Sequence, residues 1–214
     1  MKIVISESQY KRLIESEEEQ KVLRIPSLQV FSDDIFKGWN ILQKFLEKKG
    51  NPPYSLGGNL DFRELPIKSL GSIVSIESDI DLEGSAIESL GNLQSVKYSL
   101  DLRNTSIKSL GNLRSVGGDL NLVGTPIKSL GNLQSVGGTL LLQGSGIQSL
   151  GNLESVGGML GLAVTSIKSL GNLRSVGGAL DLERSYLAAR YTKQQIRKMV
   201  EVGGYIYDHS GSLD

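Results

Sequence analysis

Cysteine is absent from this chain of 214 residues, which excludes a disulfide framework, a thiolate nucleophile and the cysteine-rich zinc sites. Stability must come from packing and backbone hydrogen bonds. Histidine occurs once, at His209, so a Ser-His arrangement has a single candidate close to the carboxyl end. Neither sign of charge is in excess, since 23 lysines and arginines face 23 aspartates and glutamates. Bulk charge gives no reason to expect nucleic acid or an anionic membrane as partner. Long apolar runs are missing as well. No stretch approaches the roughly twenty residues of a spanning helix, and Met1 to Gln20 lacks the apolar core of a signal peptide. The expectation is a soluble, unsecreted protein.

Glycine, in contrast, is plentiful at 26 residues, and most of those in the middle of the chain recur at fixed positions. They are structural punctuation rather than a sign of disorder. A unit of twenty residues runs without insertion from about residue 58 to 177, marked by Ser-Leu-Gly at Ser69, Ser89, Ser109, Ser129, Ser149 and Ser169. A fixed period of this kind signals a solenoid, in which each unit buries its apolar face only against its neighbours. Alternating pairs such as Leu60/Phe62, Leu120/Leu122 and Leu180/Leu182 read as short strands with two inward side chains each. Every unit is traversed in the same sense, so the strands pair in parallel at roughly 4.8 Å, in one curved sheet about 30 Å long. Ile127, Leu130, Leu133 and Val136 represent four further inward positions on each return arm. No unit has the ten or more periodic residues of a helix, so the return arms are expected to be extended or short 3₁₀ turns.

The polar repeat positions carry expectations of their own. Gly71 and its equivalents should adopt positive φ after the buried leucine. Ser85, Thr105, Thr125, Ser145, Thr165 and Ser185 stand at a corner, where a stacked hydroxyl ladder can satisfy backbone groups. The Gly-Gly pairs before each strand are replaced by Glu77-Ser78 and Lys97-Tyr98, which suggests that this corner accepts side chains.

The ends of a solenoid need caps. Ser32-Asp33-Asp34 before Ile35, Phe36, Trp39, Leu42, Phe45 and Leu46 predicts a capped amphipathic helix ended by Gly50 and Pro52-Pro53. A shorter helix is expected from Glu7 to about Glu18. Thr192 should cap a helix over Lys193 to Val202 with Ile196, Met199 and Val200 inward, followed by an eighth strand at Tyr205-Ile206-Tyr207 and a frayed tail from His209. The domains read as a helical cap at 1–55, a solenoid at 56–185, and a capping helix, final strand and tail at 186–214.

The coil Leu-x-Leu-x-x-Thr-x-Ile-x-x-Leu resembles the leucine-rich repeat over roughly residues 56 to 185, with Thr or Ser in place of that family's asparagine. The length of twenty residues is similar to its shortest bacterial class. That resemblance implies a repeat solenoid whose concave sheet face binds other proteins. Some members of the short class carry a ubiquitin-ligase domain built on a catalytic cysteine, for which this chain has neither the cysteine nor the length. The first ten residues, Met1 to Tyr10, look similar to leaders of some proteins of tailed marine phages. Together these likenesses imply a cytoplasmic, host-cytoplasmic or virion location.

Strand pleat assigns the outward residues. Asp61, Asp81 and Asp101 form an acidic column, with Arg63 and Arg103 interleaved. Such a column can chelate calcium or stand as a solvated, neutralised face. No calcium-loop motif accompanies it, so no metal or other cofactor is expected. Lys68, Lys108, Lys128 and Lys168 line another edge without the aromatics of a nucleic-acid surface. Over the later strands Val123, Leu141, Met159, Val164, Tyr205 and Tyr207 make an apolar face of the kind that marks a partner site. No motif with a catalytic mechanism is present. The reading is a non-enzymatic protein-binding module using those six residues together with the aspartate column. The alternatives are a self-associating structural spacer, as in a phage particle, and a glycan-binding module.

Overall fold

Ser-Leu-Gly recurs because each of its residues does one local job. The serine Oγ accepts the glycine N–H two residues on, at 3.0–3.1 Å in all six copies. The leucine enters the core, and the glycine holds φ between 57° and 63° at Gly71, Gly91, Gly111, Gly131, Gly151 and Gly171. The positive φ expected there is observed, and a side chain would be strained in it.

The computed structural model describes residues 22–208. Its core is a parallel β-solenoid of stacked coils, each twenty residues long through the repeat region. The expected front sheet is present with eight strands, from Leu60–Asp61 to Ile206–Tyr207. Its register is uninterrupted: Asp61 lies beside Asp81, Asp81 beside Asp101, Leu141 beside Gly161 and Asp181 beside Tyr207. The return arms are extended, and they also pair with one another. They form a second, back sheet of nine parallel strands, from Leu23–Ile25 and Tyr54–Leu56 through the Ser-Val pairs to Glu201–Val202. A constant repeat length places each arm directly over its predecessor, so its amides find partners. A two-residue Ser-Val strand has no alternation by which the sequence could announce this.

Between the sheets, six side chains per coil are almost fully buried. Leu120, Leu122, Ile127, Leu130, Leu133 and Val136 are each no more than 1% exposed. At about 1.5–3 kcal/mol per aliphatic side chain, this burial is the main force holding coil on coil. The corner hydroxyls act within their own coil rather than as a ladder between coils. Thr105, Thr125, Ser145 and Thr165 donate to the carbonyls of Leu102, Leu122, Leu142 and Leu162 at 2.6–2.7 Å.

The glycine pairs require a correction. A Cβ at Gly137, Gly157 or Gly177 would overlap the carbonyl of the glycine one coil earlier. That close approach adds a backbone bond per coil, with Gly138 donating to Gly118, Gly158 to Gly138 and Gly178 to Gly158 at 2.8–2.9 Å. Side chains are accepted at the first corners, but in the later coils the fit of one coil on the next excludes them.

Helix α1 (Ile35–Lys48) forms as expected, with the Asp34 carboxylate accepting the Lys37 N–H at 2.7 Å. Its Trp39 ring meets Phe62 of the first coil edge-on at 5.3 Å. Beside it, burial pushes the Tyr54 hydroxyl well above its ordinary pKa, while Gln43 Nε2 donates to that oxygen at 3.1 Å. Toward the carboxyl end, Ser185 caps a short helix α2 (Tyr186–Arg190) that the sequence did not announce. Helix α3 (Lys193–Met199), capped by Thr192, is shorter than expected because the chain is already extended at Val200. Ile196 and Val200 are buried, but Met199 is 47% exposed, contrary to expectation. Val200 turns inward because it has left the helix for extended backbone, while Met199 ends the last helical turn on the solvent side. The expected helix at 7–18 and the tail from His209 lie outside the described residues. No helix among the described residues is long and apolar enough to cross a membrane.

Candidate functional site

Two columns run along the outer face of the front sheet. The column between the strand leucines contains Asp61, Asp81, Asp101, Asn121, Leu141, Gly161, Asp181 and Tyr207. Its aspartates and asparagine have a local backbone duty. Asp61, Asp81, Asp101, Asn121 and Asp181 each accept, through Oδ1, the N–H two residues on, at 3.0–3.3 Å. The column just before the strands contains Asp79, Ser99, Asp119, Thr139, Met159, Ala179 and Tyr205. Here side chains bridge coils, with Asp79 accepting the Ser99 N–H at 2.8 Å, Ser99 Oγ the Asp119 N–H at 3.2 Å, and Asp119 the Thr139 N–H at 2.6 Å. Asp79 and Asp119 are not among the residues singled out from the sequence. Their spacing of forty residues was the signal for a shared structural role.

The predicted aspartates Asp61, Asp81 and Asp101 are brought together, and arginines answer them. Arg63 forks onto Asp61 at 2.9 and 2.6 Å and approaches Asp81 at 3.6 Å. Arg103 bonds Asp101 at 2.8 Å and Glu83 at 3.0 Å. The hydrogen bond from Arg63 holds the Asp61 carboxyl below the usual carboxylate range, and the bond to Asp101 raises the Arg103 guanidinium. Both effects favour the ionised forms, which suits a fixed charge pattern rather than proton transfer. These pairs are exposed, so their contribution to stability is small. Among the described residues, no group of three or more His, Cys, Asp or Glu side chains is arranged to hold a metal ion.

At coils five and six both polar duties lapse, and the capping carboxylate returns only at Asp181. Leu141 and Gly161 replace the capping carboxylate, and Met159, Ala179 and Tyr205 replace the bridging side chain. The predicted residues Val123, Leu141, Met159 and Tyr207 are half-buried on this face, and Tyr205 is 50% exposed. The two tyrosine rings lie 6.5 Å apart. Val164 does not belong with them on the strand. It occupies the following turn at φ +56°, where other coils place Glu64, Gly84, Asn104, Gly124, Gly144 or Arg184. A β-branched residue there is strained by about 1–2 kcal/mol. Val164→Asn should raise the urea midpoint by an increment of about 1 kcal/mol; an unchanged or lower midpoint would show that the turn is not strained.

The back sheet presents a different surface, an open groove of about 670 Å³ lined by Ser95, Ser115, Ser135, Ser155 and Ser175 and rimmed by the glycine corners. It offers hydroxyls in register, with charge only at its two ends, where Lys97 pairs with Glu77 and Glu201 lies at the far edge. Lys68, Lys108, Lys128 and Lys168 are exposed on a separate edge.

Fold and surface together define a repeat solenoid, leucine-rich-repeat-like in its Leu-x-Leu strand, with a two-part front face. Comparisons with protein-family models, with curated proteins and with solved structures return no match for this chain.

Proposed function

We propose that this chain is a non-enzymatic binding module of leucine-rich-repeat type that holds a protein partner on the front sheet. One observation carries the reading. At coils five, six and eight, positions that elsewhere hold polar side chains with backbone duties present Leu141, Met159, Tyr205 and Tyr207 instead. Apolar side chains gathered on a sheet face, beside a charged half, match the composition of a recognition surface, with aromatic and methionine anchors and a polar surround. The leader similarity supports a phage-borne protein acting in a virion or a host cytoplasm.

The test is affinity capture from lysate of the source organism, comparing the wild type with Leu141→Asp/Met159→Asp after circular dichroism has shown both to be folded. A partner retained by the wild type and lost at least tenfold by the variant is the expected result, because a carboxylate buried in an apolar contact costs more than about 1.4 kcal/mol. Equal retention by both proteins would remove the front face from the site.

A further inference from the structure

The front face changes chemistry halfway along the stack, and that gradient defines its occupant. A groove of about 390 Å³ over the earlier coils is lined by Asp79, Asp81, Asp101 and Asp119 and by no lysine or arginine, and it ends at Leu141. Arg63 and Arg103 are already engaged by Asp61, Asp101 and Glu83. Among the described residues, neither Asp79 nor Asp119 has a cation at ion-pair distance. Each uses Oδ1 for a backbone N–H, and neither Oδ2 receives a hydrogen bond. Two unpaired carboxylates thus stand two coils, or about 10 Å, apart, and Met159 lies as far again along the same column. Because the whole chain is neutral, this negative field is local and directional. It draws a cationic group to one end of an otherwise apolar track.

We infer that the occupant is an extended segment of a partner protein with lysines or arginines at one end and apolar or aromatic residues at the other. It lies along the solenoid axis, with its cationic end over Asp79 and Asp119 and its apolar end over Leu141, Met159 and Tyr205. From the coil of Asp79 to that of Tyr205 the track is about 29 Å, the reach of roughly nine extended residues. This inference rests on the binding reading above and adds the chemistry and direction of the ligand. Gln143 takes part as a displaceable cover. Its amide lies across Gly161, in the space a Cβ there would occupy, and its Oε1 is buried without a partner. When that side chain swings to solvent, the orphaned acceptor gains water and a slot opens above Gly161, between Leu141 and Asp181 in the strand register. An apolar side chain of the segment fits there.

The experiment uses a displayed library of random peptides about twelve residues long, selected on the whole protein and counter-selected on Leu141→Asp/Met159→Asp. Enriched peptides should pair a cluster of lysine or arginine with an apolar run. Their binding should weaken roughly tenfold on Asp79→Asn/Asp119→Asn, since an exposed ion pair contributes up to about 1 kcal/mol. It should also weaken between about 0.01 and 0.15 M salt, and strengthen on Gln143→Ala. Asparagine Oδ1 still accepts the Ser99 and Thr139 N–H groups, so the double variant keeps its backbone bonds. Face-specific peptides that are neutral or acidic, or that bind the asparagine variant equally, would overturn the ligand chemistry while leaving the binding face intact. Unchanged affinity on Gln143→Ala would overturn the covering role. No face-specific peptide at all would overturn both this inference and the binding reading.

Discussion

Leu130→Ala should cost about 2–5 kcal/mol, near the upper end of that range for a buried leucine. Leu130 is fully buried in a middle coil, with its backbone N–H bonded to the Ser149 carbonyl at 3.3 Å. Sheets on both sides pin the coil at a fixed height, so the walls cannot collapse to fill the space of the lost methyl groups. The cavity also weakens two interfaces at once, because each coil touches only its neighbours. Urea unfolding followed by circular dichroism should shift to a lower midpoint and broaden. Amide exchange should accelerate first in the coils around Leu130. A loss below about 1 kcal/mol would mean that the coil relaxes, contrary to the rigid stacking described here.

Arg197→Ala should convert the carboxyl end of the back sheet into an association site. Along this sheet each coil donates several N–H groups to its predecessor, among them Gly203 to Val176 at 2.9 Å and Gly204 to Gly178 at 3.0 Å. A further coil would donate in the same way to Val202 and Gly204. Arg197 supplies those two donors instead, Nη1 to the Val202 carbonyl at 2.9 Å and Nη2 to Gly204 at 3.1 Å. The planar guanidinium substitutes for the missing coil, and its charge discourages a second chain from adding there. Without it two carbonyls of an edge strand are free to accept from another chain. Sedimentation velocity should show a species that grows with concentration in Arg197→Ala and not in the wild type. Arg197→Lys should lie between them, since one ammonium cannot reproduce the fork. Identical sedimentation of all three proteins would rule out the edge-blocking role.

The expectation of a rigid spacer bears on the same residue. A solenoid built to extend by end-to-end stacking would leave its last carbonyls open, whereas here those of Val202 and Gly204 are satisfied within the chain. The geometry therefore favours a finite module, whose long lateral faces remain the surfaces for interaction.

The acidic column shows residues whose stacking is legible in the sequence but whose local duty is not. Asp61, Asp81 and Asp101 share a phase that the repeat makes evident, and their neutralisation by Arg63 and Arg103 was one of the alternatives stated from sequence. Their use as acceptors for the N–H two residues on depends on turn geometry, which periodicity does not reveal. Val164 is the converse case. It was placed with the strand because it follows Ala163, but the turn begins one residue sooner, and each coil takes a left-handed residue at that point. Comparing it with Gly84, Gly124 and Asn104 could have exposed the pattern, since glycine and asparagine share a tolerance of positive φ.

By itself the sequence determined the solenoid, its coil length, the register of the front strands, the inward residues and the two principal helices. Each of these follows from a period repeated without insertion and from apolar spacing, which are properties of order along the chain. Only the tertiary structure decided that the return arms close into a second sheet. It alone decided that glycine corners are required by contact between coils, that Met199 faces outward, and that Arg197 ends the back sheet. Among the described residues it also left Asp79 and Asp119 without counter-charges. Those outcomes depend on distances between residues twenty or more positions apart, or on which side of a short helix meets the stack, and stacking fixes both only once the coils have closed.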